Sequence, residues 1–231
     1  MLGFSPLELE ALQISLKISL WSVTWSLPVA ISIAWLLARK EFRGKAVLNA
    51  VIHLPLVVPP VVIGYLLLVL LGRQGVLGSI LNDWFGIGLV FTWQGAAIAA
   101  SVVAFPLFVR PIRQALESVD PRLEEAAITL GADRRQAFFA VTIPMVMPGI
   151  ITGALLFFAR ALGEFGATIT FAANIPGETQ TLPLALYTAT QTPGGDPIAF
   201  RLVLLSLVLA LAALLASEWL SRRSNFKLRG N

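Results

Sequence analysis

Five stretches of this chain carry no formal charge, and their lengths dictate what it can fold into: Ile18–Ala38, Ala46–Gly72, Phe85–Val109, Gln136–Ala159 and Leu202–Ser217. A helix that crosses a bilayer needs about 20 predominantly apolar residues. The runs are too long for barrel strands, and within lipid an unpaired backbone finds no water to bond, so each run reads as a helix. Only 13% of the 231 residues are charged, against about 25% in a soluble domain. That leaves too little polar surface to coat a globule in water. The expected fold is all-α and polytopic, one membrane domain over residues 1–231 with spans at about 14–38, 52–71, 90–109, 146–167 and 200–220.

The basic residues orient these spans. Thirteen of the 17 Lys and Arg fall in three segments: Arg39 to Lys45, Arg110 to Arg135, and the tail Arg222, Arg223, Lys227 and Arg229. Five spans place all three segments on one side, which the positive-inside rule makes cytoplasmic. The N-terminus is then outside and the C-terminus inside. The same rule accounts for the net charge of +4 without nucleic acid. Residues 1–10 hold Glu8 and Glu10 but no Lys or Arg, unlike a cleavable signal peptide, so the first apolar run is expected to be retained. Lys17 and Arg201, near the outer surface, are expected to snorkel to it. The tryptophans Trp21, Trp25, Trp35, Trp84, Trp93 and Trp219 suit interfacial belts.

Several chemistries are excluded by what is missing. Without cysteine there is no disulfide, thiol nucleophile or cysteine-ligated metal, and the single histidine, His53, cannot build a histidine-rich site. The sequence contains no His-Glu-x-x-His, no Gly-x-Ser-x-Gly, and no pair of aspartates within a span. Asp83, Asp120, Asp133 and Asp196 all fall between spans. An ion-coupled carrier would place several ionisable or unwound helices at the midplane. Here the intramembrane charges are few: Arg160 and Glu164, four residues apart in the fourth span, can neutralise each other. Gly163 and Gly166 bracket Glu164 at a spacing that permits close helix approach, or a constriction. Pro55, Pro59 and Pro60 are expected to kink or break the second helix.

Two segments outside the spans are distinctive. Residues 168–200 contain turn signals at Asn174-Ile-Pro-Gly and Pro193-Gly-Gly-Asp-Pro, with a short helix between them, Leu182–Thr190, expected at the outer interface. Residues 120–143 form a charged cytoplasmic loop. There Asp120-Pro121 starts a helix, Gly131 closes it, and Asp133 caps a second helix ending before Pro144. The first helix is amphipathic, with Leu123, Ala126, Ala127 and Leu130 on one side.

Within that loop, Glu125-Ala-Ala-Ile-Thr-Leu-Gly131, nine residues and Val141-Thr-Ile-Pro144 resemble the signature of permease subunits of bacterial ATP-binding-cassette importers: Glu-Ala-Ala, three residues, Gly, nine residues, Ile-x-Leu-Pro. Val141 and Ile143 replace the usual Ile and Leu. The resemblance implies the type I importer fold, with residues 120–143 as a coupling hairpin that docks on an ATP-hydrolysing subunit through Glu125, Ala126, Ala127, Gly131 and Pro144. Further stretches resemble the molybdate-transport permeases: His53-Leu-Pro-Leu-Val-Val-Pro-Pro-Val-Val-Ile-Gly-Tyr65, Ala161-Leu-Gly-Glu-Phe-Gly-Ala167, Asn174-Ile-Pro-Gly-Glu-Thr179 and Gln191-Thr-Pro-Gly-Gly195. Sulfate and thiosulfate permeases share part of these strings, so sulfate is the alternative cargo.

Membership would imply a homodimer, two cytoplasmic ATPase subunits and an outer oxyanion-binding protein, in a bacterial inner membrane. The chain has no Gly-x4-Gly-Lys-Ser/Thr phosphate loop, so it needs no cofactor of its own, and ATP and Mg would belong to the partner. Arg160, Gly163, Glu164 and Gly166 are the candidate pathway or gate residues, with Arg160 lending positive potential to a dianion.

Overall fold

The computed structural model describes residues 5–228, with side chains through residue 216. Trp219 and the basic tail, Arg222, Arg223, Lys227 and Arg229, lie outside the side chains so described. Among the described residues every regular element is helical. Helix α1 (Pro6–Arg39) begins with a capping box in which Ser5 and Glu8 each satisfy the other's backbone N–H, and Pro6 sits where a missing donor costs nothing. Its 34 residues rise about 51 Å, well beyond the roughly 30 Å hydrocarbon core. The expected span 14–38 is therefore the inner part of a longer rod.

Helices α2 (Lys45–His53) and α3 (Pro60–Leu71) follow, joined by a tight turn, Leu54–Leu56. Their directions differ by 114°. Pro55, Pro59 and Pro60 explain the break, since each lacks a donor and Pro60 forces the residue before it out of helical geometry. The second expected span, 52–71, is thus not one straight helix. Its continuous apolar part, α3, has 12 residues, about 18 Å, too short to cross alone. Helix α4 (Val76–Phe85) lies outside any expected span. Among the described residues four helices are long and apolar enough to cross, or five when the bent pair counts as one.

The centre of the molecule is α5 (Trp93–Ser118), packed between α1 and α8 (Ile143–Leu162). Lipid is as apolar as leucine, so association here depends on close packing rather than on escape from water. Small residues permit it. Ala30 and Ala34 of α1 join Ala96, Ala97, Ala100 and Ala104 of α5 in the same buried cluster. A Cβ on Gly153 of α8 would stand 2.8 Å from the Phe108 carbonyl oxygen, and beside it the Phe108 and Phe157 rings meet at 5.1 Å. Ser15, Ser19, Ser22 and Ser26 form a buried stripe along α1. The Ser22 hydroxyl donates to the Ala97 carbonyl at 2.9 Å, and Ser15 Oγ accepts the Leu182 N–H at 2.7 Å. The most apolar window of α5 is 61% buried while that of α11 (Asp196–Leu228) is only 6% buried, which sets α5 as the pivot and α11 as the outermost rod.

The remaining helices are α6 (Pro121–Thr129), α7 (Arg134–Ala137), α9 (Gly166–Phe171) and α10 (Leu182–Gln191). Helix α10 corresponds to the short helix expected at the outer interface. It buries Leu182, Leu184 and Ala189 and packs on α1 and α11. The turn before it is latched from several sides. Thr179 Oγ1 accepts the Ile175 N–H at 3.0 Å, Gln180 Nε2 donates to Asn174 Oδ1 at 3.0 Å, and Gly177 takes a φ of +77° that a side chain would strain. Neither outer cation is a simple snorkel. Lys17 Nζ lies 3.8 Å from the Trp93 ring centroid, and Arg201 is ion-paired with the buried carboxylate of Glu8.

Candidate functional site

The hairpin of residues 120–143 is built by its caps. Asp120 Oδ1 accepts the Arg122 N–H at 2.9 Å to start α6. At the other end the Gly131 N–H reaches the Ile128 carbonyl and the Ala132 N–H the Ala127 carbonyl, with Gly131 at a φ of +99°. This is the left-handed closure a glycine permits. Asp133 and Gln136 then form a capping box, with bonds of 2.7 and 3.0 Å, that starts α7. The second helix does not end before Pro144, as its sequence suggested. It passes through a π-helical turn, Phe138–Thr142, and continues as α8. The wider turn shifts the hydrogen-bond register immediately before Pro144, which absorbs the donor the proline lacks.

No residue of α6 is buried. Leu123, Ile128 and Leu130 are exposed at 42%, 41% and 89%, so much of the apolar surface of this helix stands open within the described residues. Glu125 and Ala126 are exposed and Ala127 is half-buried. The carboxylate that ties the hairpin to the bundle is Glu124. It accepts from the hydroxyl of Thr142, which is fully buried, and lies 3.8 Å from the Arg39 guanidinium. One residue along a helix is a 100° rotation, so Glu124 reaches Thr142 and Arg39 while the Glu125 side chain is exposed beside it. The sequence motif pointed to Glu125 and missed Glu124. A Thr in the first turn of the next helix offered no local signal for the pairing.

The second group of expected site residues lies where the fourth span breaks. Helix α8 ends at Leu162, and Gly163, Glu164 and Phe165 separate it from α9. The expected continuous span 146–167 is therefore interrupted within its last turn, and the Arg160–Glu164 pair bridges the break. Arg160 Nη1 stands 2.7 Å from Glu164 Oε2, while Glu164 Oε1 accepts the Ala167 N–H at 2.8 Å. One buried carboxylate thus neutralises a cation and caps the next helix. Arg160 retains 31% of its side-chain exposure against 2% for Glu164, so the guanidinium is the member of the pair that can meet another molecule.

The two glycines part company. A Cβ on Gly166 would stand 3.1 Å from Pro60 Cβ and 3.2 Å from the Val61 backbone nitrogen, whereas one on Gly163 would find nothing nearer than 3.8 Å. Gly166 packs α9 on α3, and Gly163 serves the break. Gly64, which the sequence reading passed over, is tighter still: a Cβ there would stand 2.7 Å from the Ala167 carbonyl oxygen. A lone glycine within an apolar helical run was the signal that could have found it. The half-helices that follow the two breaks, α3 and α9, therefore lie in backbone contact.

Among the described residues no three His, Cys, Asp or Glu side chains converge on a point that could hold a metal ion. The arrangement offers an exposed helix, a mount for it, and a partly exposed cation paired with a buried carboxylate at a helix break. None of these is bond-making machinery.

The chain is 55% identical over 226 residues to the molybdenum transport system permease protein ModB of Haemophilus influenzae, covering 97% of this chain and 99% of that one. It is 59% identical over 217 residues to the protein of the same name from Escherichia coli K12, covering 94% and 95%. Among solved structures it superposes on a bacterial ABC transporter involved in import of the acidic polysaccharide alginate with a TM-score of 0.75, at 21% identity, over 95% of this chain and 80% of that one. That likeness establishes the fold of a type I importer permease. Residues 26–225 match the family of binding-protein-dependent transport system inner membrane components, and the chain belongs to that family.

Proposed function

We propose that this chain is the membrane-embedded permease of an ATP-binding-cassette importer that carries molybdate inward, and that tungstate, of nearly the same size and charge, shares the route. The observation that carries the mechanism is the mounted hairpin, in which Glu124 and Arg39 hold α6 to the bundle while much of its apolar surface stands open. Such a helix suits a cleft on a cytoplasmic ATPase subunit. Ala126 and Ala127 let a partner approach closely, and Glu125 offers it a carboxylate. Helix α7, the π-helical turn and α8 form one rod of 29 residues, so a push on the hairpin passes into the bundle and reaches the Arg160–Glu164 break. Alternating access follows when the two halves of a pathway rock about such elements.

Two copies of the chain enclose the pathway, two ATPase subunits bind ATP and Mg beneath it, and an outer oxyanion-binding protein delivers cargo. The N-terminus faces outward and the C-terminus the cytoplasm, as the basic residues dictate. Arg160 supplies positive potential to a dianion, and Glu164 keeps it from holding that dianion tightly enough to slow release. Relatives at 55% and 59% identity, both named for molybdenum transport, favour molybdate over sulfate.

The test is uptake into vesicles that hold the reconstituted complex, with the binding protein outside and ATP only on the side of the ATPase subunits. Molybdate should accumulate only with ATP, and a tenfold excess of sulfate should leave it unaffected. Uptake on an ion gradient without ATP would identify a secondary carrier, and competition by sulfate would identify a sulfate permease. Arg160→Ala should lower uptake more than it lowers the amount of folded protein in the membrane. Equal losses would return the pair to a structural role.

A further inference from the structure

A groove of about 910 Å³ opens between the last turns of α1 and the inner-face hairpin. Its lining is sorted by depth. On the α1 wall, Ile31, Trp35 and Arg39 follow one another at four-residue intervals and so share a face. From Ile31 to Arg39 the helix rises about 12 Å, from a level facing hydrocarbon to the charged end of the rod. Lys40 continues the basic end, with its Nζ 5.5 Å from the Trp35 ring centroid. Across the groove stand Arg134 and Arg135, with the exposed ring of Phe139 beside them.

The charges do not balance. Four cations line the groove against two carboxylates, Glu124 and Glu125. Glu124 is already engaged by Thr142 and Arg39, and Arg39 spends another donor on the Val119 carbonyl at 3.2 Å. Lys40, Arg134 and Arg135 make no ion pair among the described residues. A soluble anion would use the basic end and leave the apolar wall wet. An apolar peptide would use the wall and leave the cations uncompensated. A lipid with an acyl chain and a negatively charged head satisfies both in the order in which they occur, and basic pockets at the cytoplasmic ends of spans suit such heads. Tryptophan at the level of the head groups fits the same placement.

We infer that this groove holds one anionic phospholipid of the cytoplasmic leaflet, its phosphate against Lys40, Arg134 and Arg135 and an acyl chain along Ile31 and Trp35. One wall is the hairpin and the other is the end of α1, so the lipid is a shared support for the hairpin. This reading holds whichever oxyanion the protein carries.

Native mass spectrometry of the full chain, titrated with dioleoylphosphatidylglycerol and dioleoylphosphatidylcholine, tests it. Phosphatidylglycerol should be retained preferentially, and Arg134→Ala/Arg135→Ala should reduce that preference by roughly tenfold while Arg134→Lys/Arg135→Lys keeps most of it. Equal retention of the two lipids, or a preference unchanged by the alanine pair, would overturn the proposal. A second measurement needs no variant: phosphatidylglycerol carrying a diazirine on one acyl chain should label α1 between Ile31 and Trp35. Absence of label there overturns the site, as does its loss once the ATPase subunits are bound, which would make the groove a protein-docking surface.

Discussion

Arg201 Nε donates to Glu8 Oε1 at 2.8 Å, joining residues 193 positions apart near the N-terminal ends of α11 and α1. The other Glu8 oxygen accepts the Ser5 N–H at 2.6 Å, so one carboxylate, 2% exposed, closes a capping box and clamps a peripheral helix to the core. Removing either partner strands the other. Glu8→Gln, which keeps an acceptor for Ser5, should destabilise the protein by about 2 kcal/mol, and Arg201→Gln by about 1 because Arg201 is partly solvated. The double variant should cost less than the sum of the two. Denaturant unfolding in detergent measures all three, and strict additivity would show that the pair is not coupled.

The helical membrane fold was legible because charge-free runs of this length admit few alternatives in a bilayer, though the breaks in the second and fourth runs were not all legible in them. The caps at Asp120, Gly131 and Asp133 were legible because they act locally. The contacts that sequence reasoning missed all depend on distance along the chain or on rotation about a helix. Arg201 reads as a surface cation because its partner, Glu8, lies 193 positions away in the first turn of the first helix. The pair Arg160–Glu164 was found, but as neighbours on one helical turn. The break at Gly163 and the Glu164 cap on the next helix occur where α9 packs against α3 at Gly64, a contact between distant parts of the chain.

That packing leads to a contrast between two glycines. Gly64→Ala places a methyl 2.7 Å from the Ala167 carbonyl oxygen, backbone that cannot move aside without parting α3 from α9. Overpacking of this kind costs about 1–3 kcal/mol. Gly163→Ala meets open space at an ordinary φ of −92° and should change stability by less than about 0.5 kcal/mol. Thermal midpoints of the purified variants separate the two, and equal effects would contradict the close approach.

Glu164 is expected to show graded losses. Glu164→Gln retains an acceptor for the Ala167 N–H while abolishing the ion pair. Glu164→Ala abolishes both; either substitution leaves Arg160 uncompensated, at an insertion cost of up to about 2.5–3.5 kcal/mol, the value for a charge at mid-membrane. The amount of folded protein in the membrane should therefore fall in the order wild type, Gln, Ala. If Gln and Ala fall equally, the bond to Ala167 contributes nothing and the charge alone holds the break.

The two adjacent glutamates of the hairpin should separate mounting from docking. Glu124→Gln weakens the bonds to Thr142 and Arg39 and should loosen α6 in the isolated chain, read as faster hydrogen exchange over residues 121–130. Glu125→Arg should leave that exchange unchanged, since its side chain is exposed and does not hold Thr142 or Arg39, and should reduce association with the ATPase subunits by tenfold or more through charge reversal. A reversed pattern would mean that α6 is rotated relative to the bundle from the orientation described here.

Gly131 tests whether the hairpin works as a rigid lever. At a φ of +99° any residue with a Cβ pays about 1–2 kcal/mol to hold the left-handed turn, whereas asparagine tolerates that region better than alanine. No atom lies within 4 Å of the added Cβ, so the penalty is conformational and not a clash. In the assembled importer Gly131→Ala should lower molybdate carried per ATP hydrolysed more than it lowers hydrolysis itself, and Gly131→Asn should recover part of the loss. Unlike a simple weakening of docking, which depresses both quantities together, a softened turn lets the ATPase cycle without moving the bundle. Parallel losses of transport and hydrolysis in the alanine variant would therefore assign Gly131 to assembly alone and remove the turn from the mechanism.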